Sequence, residues 1–229
     1  MISVIIPAYN EEKFIGRCLK SLLNQTLPRE EYEIIVSDSS SKDKTKEIAK
    51  KYADKVVSCE KRGAGFTRNF GAKFAKGKFL AFIDADTVAS RTWLEGVKES
   101  LNNGIASTGP IRALERDSFK LKSFYFLWSG VSSFYVNLKY PLFPGFNIGV
   151  RKKYFKKING FSEKNIISED YEFSLKLRKF GKIVFNSKMK VFTSTRRIKE
   201  KGIIKYILLG TDFLLFKNSK RWDEYRSDW

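Results

Sequence analysis

Phe79-Leu80-Ala81-Phe82-Ile83-Asp84-Ala85-Asp86 joins five consecutive apolar residues to two carboxylates one small residue apart. An uninterrupted apolar run of this kind, entered from Gly77-Lys78, reads as a strand buried on both faces of a parallel sheet. The aspartates then fall just past its carboxyl end, where open α/β sheets bind their ligands. In an extended chain alternate side chains share a side, so Asp84 and Asp86 would aim their oxygens at one point while Ala85 leaves room. Mg and Mn take carboxylate oxygens and complete their shells with water and substrate phosphates. The bland reading is a strand-end turn in which aspartate bonds nearby backbone. The pair alone does not decide between them.

Outward from this stretch the pattern is strand, then helix, repeated up to about residue 113. Apolar runs at 2–7, 33–38, 55–59 and 79–83 predict strands, and a fifth is expected at 105–111. Helices are expected at 11–25, 43–52, 65–75 and 93–102. In the first of these Phe14, Ile15, Cys18, Leu19, Leu22 and Leu23 share one 3.6-period face. The second follows Ser41-Lys42-Asp43, a suitable cap. Such alternation predicts a doubly wound α/β sheet with mostly parallel strands. Met1 to Pro7 has no charged leader and reads as the first strand.

Composition removes several chemistries. The 229 residues contain no histidine, so Ser-His-Asp and Cys-His sites, His-ligated zinc and imidazole acid/base catalysis lack their central group. Proton transfer falls to Asp, Glu, Lys or Tyr. Cys18 and Cys59 match no ligand spacing and predict neither a disulfide framework nor a thiolate metal site, which fits a reducing, cytoplasmic setting. The charge of +19 is uneven: residues 1–110 carry 18 basic and 14 acidic side chains, residues 111–229 carry 26 and 11. A basic second half suits nucleic acid, an anionic membrane or a phosphorylated substrate, or is simply a Lys-rich solvated surface.

That second half has its own texture. Residues 119–146 hold ten aromatics, among them Phe124, Tyr125, Phe126, Trp128, Phe134 and Tyr135, interleaved with lysines. The segment reads as a helix packed on the sheet, the wall of an acceptor groove, or a membrane-facing surface. A last apolar stretch, 203–216, is too short and too polar to span a bilayer and has basic flanks suited to anionic headgroups. It reads equally as a docked terminal helix.

Three more polar clusters accompany the Asp pair. Pro7-Ala8-Tyr9-Asn10-Glu11-Glu12 follows strand one, Ser37-Asp38-Ser39-Ser40-Ser41-Lys42-Asp43 follows strand two, and Arg62-Gly63-Ala64-Gly65-Phe66-Thr67-Arg68-Asn69 opens the third helix. All would line one sheet edge. Asp38 can accept from a base N–H, glycines admit phosphate to the backbone, and Arg68 supplies fixed charge. Together SVIIPAYNEE, RGAGFTRNFGA and FLAFIDADT make the chain resemble the family-2 glycosyltransferases of the GT-A fold, inverting enzymes that use sugar-nucleotide donors. The likeness runs from strand one to about Arg197.

The resemblance implies a Rossmann-like, mostly parallel sheet flanked by helices. It implies that Pro7, Tyr9, Glu11 and Asp38 line the nucleoside pocket, and that Gly63, Arg68 and Asn69 lie near base or phosphates. Asp84 and Asp86 match the family's Asp-x-Asp element, Asp86 meeting a divalent Mg or Mn directly and Asp84 contacting ribose or a metal-bound water. Many members carry a metal-binding His near the end of the core; the aligned Val191-Phe192-Thr193-Ser194 has none, which leaves fewer protein ligands or brings Thr193 or Ser194 close. Downstream, Glu169-Asp170 precedes an amphipathic helix expected at 173–180. Acidic residues favour a helix's first turn for dipole reasons alone. By the resemblance, however, Asp170 is the general base and Glu169 its acceptor-side neighbour, with Phe146 and Asn147 bordering the sugar.

The expected organisation is a GT-A domain over residues 1–198, with a nucleotide-binding half to 113 and an acceptor half from 114, and a helical extension over 199–229. The processive Gln-x-x-Arg-Trp sequence is absent, so transfer of one sugar is expected, to a glycan or lipid-linked acceptor. Peripheral contact with an anionic membrane is expected as a partner, nucleic acid is not. A nucleotidyltransferase would place a Gly-rich, Arg-containing loop where Ala8-Tyr9-Asn10-Glu11-Glu12 stands. A nucleic-acid-binding module would explain the charge and the aromatics but not carboxylates gathered along a sheet edge.

Overall fold

The computed structural model of the chain describes residues 1–60, 63–115, 119–137, 144–163 and 169–202. Strand β1 (Ile2–Ala8) is buried at every position. Its alternate side chains enter two cores, Ile2, Val4 and Ile6 on one face of the sheet and Ile5 on the other. Strands β2 (Tyr32–Asp38) and β4 (Phe79–Phe82) flank it in parallel, with Ile5 opposite both Ile35 and Phe82. Strand β3 (Lys55–Ser58) pairs with the outer side of β2.

Parallel neighbours need long crossovers, which helices supply while covering the faces. Helix α1 (Ile15–Leu23) sends Ile15, Cys18, Leu19 and Leu22 into the first core. It starts later than its periodicity predicts: a turn precedes it in which the Glu11 carbonyl accepts the Phe14 and Ile15 N–H groups, while the N–H groups of Glu11 and Glu12 are bonded to Thr45 Oγ1 and Asp43 Oδ2. Helix α2 (Thr45–Lys50) begins where Asp43 Oδ1 accepts the Thr45 N–H. Helix α3 (Ala64–Lys73) lies on the other face, close enough that a Cβ at Gly71 would come within 2.8 Å of Ile5 Cγ2.

Beyond the Asp pair come β5 (Thr87–Ala89), α4 (Trp93–Asn103), β6 (Ala106–Thr108) and β7 (Ile111–Ala113). The single strand expected at 105–111 is thus two. Gly109-Pro110 separates them, Pro110 having no N–H to continue a ladder, and β7 leaves for a second sheet. Helix α5 (Phe119–Asn137), β8 (Ile148–Arg151), α6 (Lys152–Lys157), α7 (Glu169–Arg178), β9 (Ile183–Phe185), β10 (Val191–Thr193) and α8 (Arg196–Lys201) complete the described chain. The main sheet runs β3-β2-β1-β4-β8-β6-β9, with β8 antiparallel to both neighbours; the second runs β5-β10-β7. Helix α7 starts four residues before the expected 173–180, so Glu169 and Asp170 lie in its first turn rather than ahead of it. The expected boundary at 198/199 falls inside α8, whose Ile198 is in the first core. The stretch 203–216 lies outside the described residues.

Candidate active site

Past β4 the chain does not stay extended. The Thr87 N–H donates to the Asp84 carbonyl at 3.1 Å, closing a turn, and the two aspartates face different partners. Asp84 Oδ1 lies 2.8 Å from Arg68 Nη2, and Asp86 Oδ2 lies 3.3 Å from Arg196 Nη2. This corrects the convergence of both carboxylates on one point that an extended strand would give. The turn reading of the sequence holds for the backbone, and two guanidinium groups take the charges.

Arg68 is held in the interior. Gly63, at φ +90, turns the chain into α3, and Arg68 one turn later is only 3% exposed in its side chain. Its Nη1 lies 3.1 Å from Glu169 Oε1, so it joins the end of β4 to the start of α7 across 101 residues of sequence. Burial alone would lower its pKa; the charges of Asp84 and Glu169 overcome this and hold it above the usual arginine range. Gly145 packs on the guanidinium, where a Cβ would lie 2.9 Å from Nη2. The same residue's N–H donates to Asp170 Oδ2 at 2.9 Å, and the Tyr171 N–H donates to Oδ1 at 2.8 Å. The sequence places Arg68 near phosphate. Here it is the buried link between Asp84 and Glu169, in the acidic turn that carries Asp170.

Arg196 belongs to the other end. The second sheet sets Thr193 opposite Thr87, and the Ser194 N–H donates to the Asp86 carbonyl at 3.2 Å. Arg196 therefore arrives beside Asp86 and Glu11, bonding Glu11 Oε1 as well. Burial disfavours its charge, and the Glu11 and Asp86 carboxylates more than offset that. Glu11 Oε2 is buried with no hydrogen-bond partner among the described residues. Thr193 and Ser194 do sit close, but their hydroxyls are engaged: Thr87 Oγ1 donates to Thr193 Oγ1, and Ser194 Oγ donates to Glu115 Oε1. Glu115 Oε2 also accepts the Thr195 N–H at 2.7 Å. Cys18 lies behind the turn, its Sγ 3.5 Å from the Asp84 carbonyl. Burial pushes its thiol up, and Asp86, Asp84 and Glu11 add to the shift, so it stays neutral rather than a thiolate ligand.

Among the described residues no group of three or more His, Cys, Asp or Glu stands close enough to hold a metal ion. Asp84, Asp86 and the orphaned oxygen of Glu11 are hard oxygens, but as they stand they do not form such a group. They fit a cation whose remaining ligands come from a diphosphate and water.

On the nucleoside side the loops after β1 and β2 are laced together. The Asn10 N–H donates to Ser41 Oγ, and the Lys42 N–H returns to Asn10 Oδ1. Pro7 closes β1 opposite Ser37, and Tyr9 lies half-buried in the turn that follows. Asp38 is fully buried; Oδ2 accepts the Ser41 N–H at 3.1 Å, while Oδ1 has no hydrogen-bond partner among the described residues. An open cleft of about 560 Å³, lined by Ser40, Ser58, Cys59, Glu60, Phe66 and Phe70, adjoins it.

Two expected site residues serve elsewhere. Asn147, expected to border the sugar, is fully buried; it accepts from Trp93 Nε1 and donates to the Gly109 and Met189 carbonyls, which uses up its amide. Asn69 donates to the Phe161 carbonyl and accepts the Phe161 N–H, fixing the backbone there. Phe146 is half-buried against the first core. Conversely, Arg196 and Glu115 are at the site although the sequence marks Arg196 only as a basic flank. Their signal is the β5–β10–β7 register, which no local pattern encodes.

The sequence profile described as "Glycosyl transferase family 2" matches residues 3–159. Glycosyltransferase AglE of Haloferax volcanii is 37% identical over 115 residues, 47% of this chain and 38% of AglE. The poly(ribitol-phosphate) beta-glucosyltransferase of Bacillus spizizenii is 45% identical over 92 residues, 37% of this chain and 14% of that protein. The chain thus spans less than two-fifths of the length of either. The crystal structure of S. aureus TarS 1–349 in complex with UDP-GlcNAc matches with a TM-score of 0.70 at 25% identity, covering 84% of this chain and 58% of that one.

Proposed function

The chain belongs to glycosyl transferase family 2 and has the GT-A fold, and from that premise we propose that it transfers one sugar from a UDP- or GDP-sugar to a glycan or lipid-linked acceptor. In this reading transfer inverts the anomeric carbon and depends on Mg or Mn. A uridine donor is favoured, because the TarS complex holds UDP-GlcNAc. Residues to 113 form the donor half and 114–198 the acceptor half.

The observation that carries the reading is the Arg68 bridge, which ties Asp84, just after β4, to Glu169 in the turn bearing Asp170. On the donor side the unpartnered Asp38 Oδ1 accepts a base N–H, with Pro7, Tyr9, Glu11 and Gly63 around the nucleoside. Asp86, with Asp84 beside it, would hold the cation, whose chemistry is Lewis-acid neutralisation of charge on the leaving diphosphate. Arg196 has to release Asp86 for that. On the acceptor side Asp170, oriented by the Gly145 N–H, takes the hydroxyl proton as the acceptor oxygen attacks the anomeric carbon. The bond to the diphosphate breaks on the opposite face, and its electron pair leaves with the phosphate. Glu169 works through Arg68, fixing the turn that carries the base. A phosphate acceptor is already anionic and would need Asp170 less.

Asp170→Asn tests this: transfer should fall by about 10²–10⁴-fold with donor affinity nearly unchanged. Unchanged turnover would remove Asp170 from the mechanism. Contact with an anionic membrane belongs to the same set of expected partners.

A further inference from the structure

Helix α5 has two faces of different kinds. Leu121, Tyr125, Ser129, Ser132 and Val136 are buried, and Ser129 Oγ ties the helix to β7 by accepting the Ile111 N–H at 2.8 Å. On the opposite face Phe119 is 84% exposed and Leu127 66%, and Phe126, Val131 and Phe134 are exposed as well. Spacings of four and seven residues align them along one side of a 19-residue helix. Single exposed apolar residues are ordinary on soluble proteins; five on one helical face are not. Core packing, the simplest expectation for this aromatic segment, accounts for half the helix only.

We propose that this face of α5 lies in the surface of an anionic lipid bilayer. Charge complementarity selects the partner. Lys120 and Lys122 are exposed at the start of the same helix, and the Arg112 guanidinium sits 5.0 Å from the Phe126 ring centre. From residue 119 to 162 the chain has eight Lys or Arg and no Asp or Glu. An apolar face bordered by cations meets acyl chains with its rings and anionic headgroups with its lysines. A second copy of the chain would bring like charges together, and a nucleic acid would have no use for Leu127 and Val131. Among the described residues no helix is long and apolar enough to cross a membrane. Arg112 is in β7, which pairs with β10, and β10 leads directly to Ser194 and Arg196 beside Asp86. The apolar face is therefore two strands from the candidate site.

The surface does not depend on the transfer reading, and Asp170→Asn should bind lipid as the parent does. The full chain is sedimented with phosphatidylcholine vesicles and with vesicles that also contain phosphatidylglycerol. It should pellet with the anionic vesicles, less at high salt. Phe126→Ser with Leu127→Ser should weaken lipid affinity by at least about tenfold with an unchanged melting temperature, since both side chains point to solvent. Lys120→Glu with Lys122→Glu should weaken binding and flatten its salt dependence. A chain that stays in the supernatant, or a double serine variant that pellets like the parent, would overturn the proposal. So would gel filtration in which the serine variant converts a dimer to a monomer without vesicles, which would give the face to a second copy.

Discussion

Two arginines face the two ends of Asp84-Ala85-Asp86, and they are held differently. Arg68 is buried between Asp84 and a buried Glu169, with Gly145 packed on its plane. Arg196 is 25% exposed and reaches Asp86 and Glu11 from the start of α8. Removing one partner from a buried ion pair strands the other, whereas a part-exposed pair is compensated by water. Arg68 therefore acts as a fixed strut and Arg196 as a cation that can leave. Under the proposed function, such a division suits a site that keeps the turn carrying Asp170 in place while a charged donor and a metal are accepted.

The largest test of this contrast is Arg68→Met. It should cost about 3–5 kcal/mol in urea unfolding, because Glu169 is left buried and uncompensated and Asp84 loses its partner at the edge of the same site. A loss below about 1 kcal/mol would make the two arginines equivalent. Gly145→Ala sharpens the point from the other side. Its Cβ would press on the guanidinium, costing about 1–3 kcal/mol and dragging Asp170 with it, so turnover should fall more than donor affinity. Arg196→Ala should cost less stability than Arg68→Met, because the Arg196 guanidinium is partly exposed, and should raise the affinity for Mn without nucleotide, read by the free-Mn resonance signal. Unchanged Mn affinity would show that Arg196 does not compete for Asp86.

The smallest expected effect concerns Glu115, which anchors Ser194 and Thr195 just before Arg196. Burial would raise its pKa, but hydrogen bonds from the Thr195 backbone and hydroxyl outweigh this and hold it below the ordinary 4.5. A lowered folded pKa contributes stability that is present above 4.5 and is lost as pH falls through the folded value. Glu115→Gln should remove that part of the acid sensitivity, as followed by melting temperature against pH.

Much of the fold up to residue 113 was legible because its signals are local. The buried runs of β1, β2 and β4 and the apolar face of α1 announce parallel strands and a covering helix within a few residues each. The same sequence misjudged places governed by distant partners. Residues 105–111 looked like one strand because their apolar content is continuous, yet Gly109-Pro110 sends the second part to another sheet. Asp84 and Asp86 looked extended because nothing nearby shows the Thr87 N–H returning to Asp84. Asn147 looked like an acceptor-side residue until the Trp93 indole and two carbonyls claimed its amide. Arg196 reads as one basic residue among many, and only the pairing of β10 with β5 brings it to Asp86.

The most direct test of the donor site is a calorimetric titration of the full chain with UDP and with GDP, each with and without Mn, repeated in Asp86→Asn. We expect one diphosphate to bind with Mn, to bind much more weakly without it, and to lose that dependence in the variant. Failure of both nucleotides to bind with Mn present, or an Mn dependence untouched by Asp86→Asn, would contradict the account.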